Sequence, residues 1–147
     1  MGPQALERIL MNQEINIKDL AQLLNAAVAL HQSDQKTGAE EKYSEVLSYE
    51  RDFQGVMQSD TPEAQQQSTL LRTIFSQAYN NLGVLREDER KFGQAIANFR
   101  NALDFAPGSI EAHTNLGRVF RKKGNYDSAL GAIRGALDLK PDRKSVV

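Results

Sequence analysis

Hydrophobic residues recur three and four positions apart along most of this chain, with polar residues between them. Leu20, Leu23, Leu24 and Ala27 follow this spacing, and Asn16 precedes them as a suitable N-cap. The spacing predicts a helix over about residues 17–33. No segment alternates between apolar and polar residues with period two, so we predict no strands. The pattern therefore indicates an all-α protein.

Turn residues divide the remaining chain into further helices. Thr61 can cap a helix that starts at Pro62, because proline fits the first helical position. No glycine or proline interrupts that helix before Gly83, and we expect it to end near residue 88. A polar turn at 33–38 should separate the first helix from a second one. The second helix should have Tyr43, Val46, Leu47 and Phe53 on its inner face, and the later helices should span 62–88, 92–105, 110–123 and 126–139.

A short motif recurs at an offset of 34 residues. Asn80–Gly83 reads Asn-Asn-Leu-Gly, and Thr114–Gly117 reads Thr-Asn-Leu-Gly. The same offset relates three further pairs of identical residues: Ala95 and Ala129, Ala102 and Ala136, Pro107 and Pro141. A fixed period of this length is typical of a repeat array in which each unit is one helix pair.

This pattern resembles the tetratricopeptide repeat (TPR), a helix–turn–helix unit of 34 residues. Residues 76–109 and 110–143 match its sequence of residue sizes, and residues 20–53 match it in a degraded form. The resemblance implies a right-handed α-solenoid of antiparallel helix pairs. We expect 1–16 to be an N-terminal extension, with Met11 as an alternative natural start, and 17–147 to be a single domain.

Two details follow from the placement of the copies. An insertion at 54–75 separates the first copy from the second, and we expect it to lengthen the helices on either side of a turn at 58–61. Small residues should mark the points where the two helices of a pair cross, because small side chains let helix axes approach closely. On the first helices these residues are Ala27, Gly83 and Gly117, and we expect Ala39, Ala95 and Ala129 to face them.

Composition and charge exclude several classes of function. The 147 residues include 18 Lys and Arg and 19 Asp and Glu, a net charge of −1 that argues against a nucleic-acid partner. The chain contains no cysteine, so it has no disulfide or thiolate zinc site, which suits the cytoplasm. No apolar run reaches the ~18 residues of a membrane span. The charge is polarised: residues 1–75 carry six basic and 11 acidic residues, and 76–147 carry 12 and eight.

In proteins with this repeat, the first helix of each pair lines a concave face that holds the partner. An asparagine occupies the same position of that face in all three copies, and an amide can pair with a peptide backbone of any sequence. Local structural contacts are an alternative role for these amides. The resemblance places these candidate peptide-binding residues on the face: Asn25, Asn81, Asn115, Val28, Gln77, Val84, Arg118, Arg121 and Lys122.

The basic residues of the third copy suggest the charge of a ligand. Arg118, Arg121 and Lys122 share one helix face, where they can hold a carboxylate or an acidic peptide. Alternatively, they are solvated cations near a helix C-terminus, where positive charge is favourable. Lys123 fits the second interpretation better.

One well-known ligand mode of the family is not expected. Chaperone-binding members hold a C-terminal carboxylate with Lys, Asn, Asn, Lys and Arg at five set positions. Those positions are Leu24, Val28, Asn81, Glu111 and Asn115 here, and only Asn81 matches. We therefore expect no binding of chaperone tails through such a clamp.

Candidate catalytic residues are scarce. His31 and His113 lie in different copies without an acidic partner at metal-ligand spacing, and a structural or groove-lining role fits them better. Glu87, Asp88 and Glu89 resemble a solvated turn at a helix end. The chain has no phosphate-binding loop and no nucleophile motif. We predict no catalytic residue, no cofactor and no metal.

The sequence therefore indicates a non-catalytic scaffold that binds an extended peptide or a partner helix on its concave face. Two alternatives remain open. The chain can be a self-assembling scaffold that forms homo-oligomers through its C-terminal end, helped by its polarised charge. It can also be the repeat domain of a larger enzyme, since similar repeats precede sulfotransferase, glycosyltransferase and oxygenase domains.

Overall fold

The computed structural model describes residues 15–139. Its helices are α1 Ile17–Gln32, α2 Lys36–Leu47, a 3-10 helix Arg51–Phe53, α3 Gln54–Met57, α4 Pro62–Asp88, α5 Phe92–Phe105, α6 Ile110–Lys122 and α7 Tyr126–Asp138. No strand occurs between residues 15 and 139, and the predicted all-α fold class is confirmed. None of the helices in this range is both long and apolar enough to cross a membrane.

The contacts of the chain group into two compact units, residues 1–78 and 79–147, which divide within α4. We refer to them as the N-terminal unit and the C-terminal unit. The prediction of one domain over 17–147, preceded by an extension, stays a prediction.

Local capping explains where the helices begin. The Asn16 side chain accepts a hydrogen bond from the Asp19 backbone N–H at 2.8 Å. Thr61 Oγ1 accepts one from the Ala64 N–H at 3.3 Å, and α4 begins at Pro62. These bonds satisfy backbone donors that have no partner within the helix. The predicted bounds of α1, α4, α5, α6 and α7 are confirmed to within one residue, whereas Pro141 lies outside the described residues.

The prediction for the second helix is wrong in extent. Helix α2 begins at Lys36 and ends at Leu47, so Phe53 lies outside it in the 3-10 helix. After α2 the backbone bonds shorten in span: Tyr49 N–H donates to Val46 O, and Glu50 N–H donates to Leu47 O. Such bonds close three-residue turns and end an α-helix. The insertion therefore lengthens α4, but it does not extend α2.

The turn between the helices of a pair is the same in all three copies. Asp34, Arg90 and Gly124 have positive φ angles of 58°, 61° and 84°. The residue after each turn donates its N–H to a carbonyl five positions earlier, at 2.9, 2.8 and 2.9 Å for Gln35, Lys91 and Asn125. This pairing is the Schellman motif of helix C-termini. The degraded first copy thus keeps the backbone turn of the other two.

The core of the N-terminal unit lies between α1 and α2. Its fully buried residues include Leu20, Ala27, Ala39, Tyr43 and Val46. The α3 end is tied to α4 by polar contacts, since the Met57 carbonyl accepts from Ser68 Oγ at 3.4 Å and from Arg72 Nη2 at 3.3 Å.

In the C-terminal unit, α5, α6 and α7 share one hydrophobic cluster. Its buried members are Ala95, Ile96, Phe99, Leu116, Val119, Phe120, Ala129 and Ala132, and Val84, Phe92 and Leu103 pack against it. Burial of each of the larger side chains in this cluster, such as Phe99 and Leu116, contributes roughly 1.5–3 kcal/mol to the stability of the unit.

Two glycines allow the helices of the C-terminal unit to cross closely. A Cβ at Gly83 would stand 2.6 Å from Cε1 of Phe99. A Cβ at Gly117 would stand 2.9 Å from Cγ1 of Ile133 and 3.4 Å from the Ala129 carbonyl oxygen. We expected Ala95 to face Gly83. The atoms nearest to Gly83 belong instead to the Phe99 ring.

Replacement of Gly83 by alanine should destabilise the protein by about 1–3 kcal/mol, because the added methyl overlaps the fully buried Phe99 ring. Gly131→Ala is the matched control. It adds the same methyl within α7, where nothing lies within 4 Å, and should stabilise by about 0.5–1 kcal/mol through helix propensity.

Urea denaturation followed by circular dichroism measures both changes. If Gly83→Ala stabilised the protein as much as Gly131→Ala, the helix crossing at Gly83 would have space for a methyl group, contrary to this prediction.

Candidate functional site

A buried pair of amides joins α4 to α6 in the C-terminal unit. Asn115 is 6% exposed, and its Nδ2 donates to Oδ1 of Asn80 at 2.9 Å. Asn80 is itself 3% exposed. Buried amides need such partners, because an unpaired one costs roughly 1–3 kcal/mol. Asn115 therefore has a structural bond in the free protein, and its predicted contact with a ligand stays a prediction.

A cluster of three charged side chains lies further along the same two helices. Arg118 Nε and Nη2 donate to the two carboxylate oxygens of Glu87 at 2.8 and 2.7 Å. Lys122 Nζ donates to Glu87 Oε2 at 2.6 Å. The Glu87 side chain is only 4% exposed, so its interpretation as part of a solvated turn is wrong. We call these three residues the Glu87 cluster.

The electrostatics keep the Glu87 cluster ionised. Hydrogen bonds from Arg118 are the largest influence and lower the pKa of Glu87 below its usual value, although burial opposes the shift. The bond from Lys122 lowers the pKa further. The pKa of Arg118 is raised, chiefly by the same hydrogen bond to Glu87. An acidic ligand would therefore have to compete with Glu87 for both cations.

The other predicted residues of the C-terminal unit are more accessible. Asn81 and Val84 are half-buried on α4, and Val84 packs against the hydrophobic cluster. Arg121 is exposed on α6. It lines a groove of about 210 Å³ whose other lining residues are Thr114, Gly117, Arg118 and Ile133.

The three predicted residues of the N-terminal unit are also accessible. Asn25 and Gln77 are exposed on α1 and α4, and Val28 is half-buried on α1. Their role in binding stays a prediction.

A second cleft of the C-terminal unit lies beside the Glu87 cluster. It measures about 450 Å³ and is lined by Glu87, Asp88, Arg90, Phe92 and Lys122. Charges of both signs border it, so it favours neither an anion nor a cation strongly.

Both histidines have structural contacts. His31 Nδ1 lies 3.1 Å from the hydroxyl of the fully buried Tyr43, and the two rings meet edge to face. His113 Nε2 lies 3.1 Å from the Pro107 carbonyl oxygen, which ties α6 to the preceding turn. A Cβ at Gly135 would stand 2.9 Å from Nδ1 of His113, so the glycine makes room for the imidazole.

Sequence reasoning missed Asn80 and Glu87 as partners of the predicted ligand-binding groups. Asn80 and Asn115 lie 35 residues apart, and so do Glu87 and Lys122. A separation of one repeat plus one residue places the two side chains side by side on α4 and α6, which are the first helices of consecutive pairs. That offset is the signal that could have identified both pairs.

Comparisons with known proteins identify one sequence family and several similar folds. The sequence model of the tetratricopeptide repeat matches residues 80–144. The chain is similar to the C-terminal TPR-containing domain of a Plasmodium falciparum FK506-binding protein, with 16% identity and a TM-score of 0.67 over 85% of this chain and 79% of that one. It is also similar to MamA from Desulfovibrio magneticus RS-1, with 16% identity and a TM-score of 0.46 over 88% and 78%. No curated protein matches its sequence.

Replacement of Glu87 by glutamine should destabilise the protein by about 2 kcal/mol at pH 7, because it leaves Arg118 and Lys122 without their anion. The lowered pKa of Glu87 means that the ionised cluster stabilises the fold above the unfolded-state pKa of about 4.5. That stability is lost as the pH falls through the lower folded-state pKa. The difference between wild type and variant should therefore shrink below about pH 4.5.

Glu89→Gln is the control, since Glu89 also pairs with two cations, Arg86 and Lys91, but at the surface. Urea denaturation across the pH range should show little effect of this control. A Glu87→Gln effect as small as that of the control, or one that does not vary with pH, would contradict the structural role of the cluster.

Proposed function

Residues 80–144 match the tetratricopeptide repeat, and from that premise we propose that the chain is a non-catalytic scaffold that binds an extended peptide or a helix of another protein. Arrays of such repeats present extended surfaces typical of protein–protein interaction. The cytoplasmic location expected from the sequence stays a prediction.

We assign the binding surface to the face shared by α4 and α6 in the C-terminal unit. The observation that supports it is the internal pairing of the polar groups beneath that face. Asn80 holds Asn115, and Glu87 holds Arg118 and Lys122. These bonds fix the two helices before a partner arrives, and a preorganised surface loses less entropy on binding.

The accessible groups on this face define the chemistry of the partner. Asn81 carries an amide that can donate to and accept from a peptide backbone. Arg121 is an exposed cation outside the Glu87 cluster, and it can hold one carboxylate of the partner. Of the two ligands that the three basic residues suggested, a carboxylate or an acidic peptide, we therefore favour a partner segment that presents one carboxylate to Arg121.

The double variant Asn81→Ala/Arg121→Ala should lose its partner, with each substitution weakening binding by about tenfold. The matched control is Asn101→Ala/Lys123→Ala, which removes an exposed amide and an exposed cation elsewhere on the same unit. Wild type and both variants are immobilised, and the proteins they retain from the native extract are identified and then titrated individually.

A partner retained by wild type and control but lost from the test variant supports the proposal. Retention by all three forms, or by none of them, would overturn the assignment of this face. Circular dichroism of each variant confirms that the helices are intact.

A further inference from the structure

Helix α7 exposes a continuous line of large apolar side chains. Tyr126, Leu130, Ile133 and Leu137 are 66%, 53%, 42% and 40% exposed. Their spacing of four, three and four residues places them on one face of the helix, as in the seam of a coiled coil. Single exposed apolar residues are common on protein surfaces, but an aligned set marks an interaction surface. We call these four residues the α7 seam.

The repeat itself shows how such a line is normally covered. The residues 34 positions earlier on α5 are Phe92, Ile96, Phe99 and Leu103. All four belong to the hydrophobic cluster or pack against it, with Ile96 6% and Phe99 0% exposed. Helix α6 contributes Leu116, Val119 and Phe120 to that cluster. It follows α5 after a four-residue connection, which makes the two helices antiparallel neighbours. The α7 seam therefore suits an antiparallel amphipathic helix.

The spacing of the α7 seam is the same in both directions along the helix. A second α7 that runs antiparallel, related by a two-fold axis, would place Tyr126 against the partner's Leu137 and Leu130 against the partner's Ile133. Every seam residue then meets an apolar residue. A two-fold interface requires such self-complementarity, because both subunits use the same patch.

The charges beside the α7 seam are complementary under the same symmetry. Asp127 and Arg134 are both exposed and lie on one flank of the seam. In the antiparallel arrangement each Asp127 lies near the partner's Arg134, so two ion pairs of opposite charge form across the axis. We propose that a second copy of this chain covers the α7 seam, as an antiparallel α7–α7 pair with two-fold symmetry.

The expected dimer is weak. One short helix from each subunit buries less than the ~1,200 Å² of a standard stable interface. We expect a dissociation constant on the order of tens of micromolar. The dimer does not use Asn81 or Arg121, although Ile133 of the seam also lines the groove beside Arg121. Leu130→Glu and Asn81→Ala/Arg121→Ala change different residues, so the two proposals can be tested separately.

Sedimentation equilibrium of the full chain from about 1 to 500 μM tests the pairing, a range that brackets this affinity. Wild type should change from monomer to dimer, and Leu130→Glu should remain monomeric throughout. Leu70→Glu is the matched control, because Leu70 is 57% exposed on α4 but lies outside the seam. It should dimerise like wild type, and circular dichroism should show unchanged helix content in both variants.

Charge reversal tests the geometry. Asp127→Arg alone and Arg134→Asp alone should each weaken dimerisation at least tenfold, because like charges then meet twice across the axis. An equimolar mixture of the two variants should recover the affinity of wild type, since opposite charges meet in the heterodimer.

A wild type that stays monomeric up to 500 μM (about ten times the expected dissociation constant) would overturn the proposal and assign the seam to a foreign helix or to another part of the chain. A dimer that Leu130→Glu leaves intact would also overturn it. Failure of the mixture to recover affinity would exclude the antiparallel two-fold arrangement and favour a head-to-tail contact.

Discussion

The packing of the C-terminal unit depends on two missing β-carbons. At Gly83 the ring of Phe99 occupies the position of the absent methyl, with three ring atoms 2.6–3.0 Å from where it would stand. At Gly117 the Ile133 side chain does the same. Protein interiors are packed as densely as organic crystals, so a helix crossing that already holds an aromatic ring at this distance has no space for an additional methyl group. The position of α5 under α4, and of α7 under α6, follows from these two contacts.

Local signals made most helix bounds predictable. Asn16, Thr61 and Pro62 act on backbone groups within four residues, so their effect is visible in the sequence. The end of α2 was missed because no glycine or proline marks it, and the change to three-residue turns after Val46 is visible only in the backbone hydrogen bonds. The partners of Glu87 were missed for another reason. They lie 31 and 35 residues away, so only the stacking of helices brings them together.

Polar contacts in the C-terminal unit set the register between α4 and α6, which apolar burial alone does not. The hydrophobic effect is non-directional, so apolar burial alone does not specify which residue of α6 lies beside which residue of α4. The Asn80–Asn115 bond at 2.9 Å and the bidentate contact of Arg118 with Glu87 each match one residue to one other. A shift of one residue would break both contacts. The residues that the sequence suggested as ligand contacts thus first fix the register of the surface on which a ligand is proposed to bind.

The residue in the left-handed conformation at each turn affects the aromatic residue that begins the next helix. Arg90 adopts a positive φ, and its guanidinium lies 5.8 Å from the centroid of the Phe92 ring. The side chain therefore shields the first aromatic residue of α5 while its backbone bears strain of about 1 kcal/mol. One repeat later Gly124 adopts the same turn without strain, but glycine has nothing with which to shield Tyr126. A single residue difference between neighbouring copies thus changes both the backbone strain at the turn and the presence of a cation beside the first aromatic ring of the next helix.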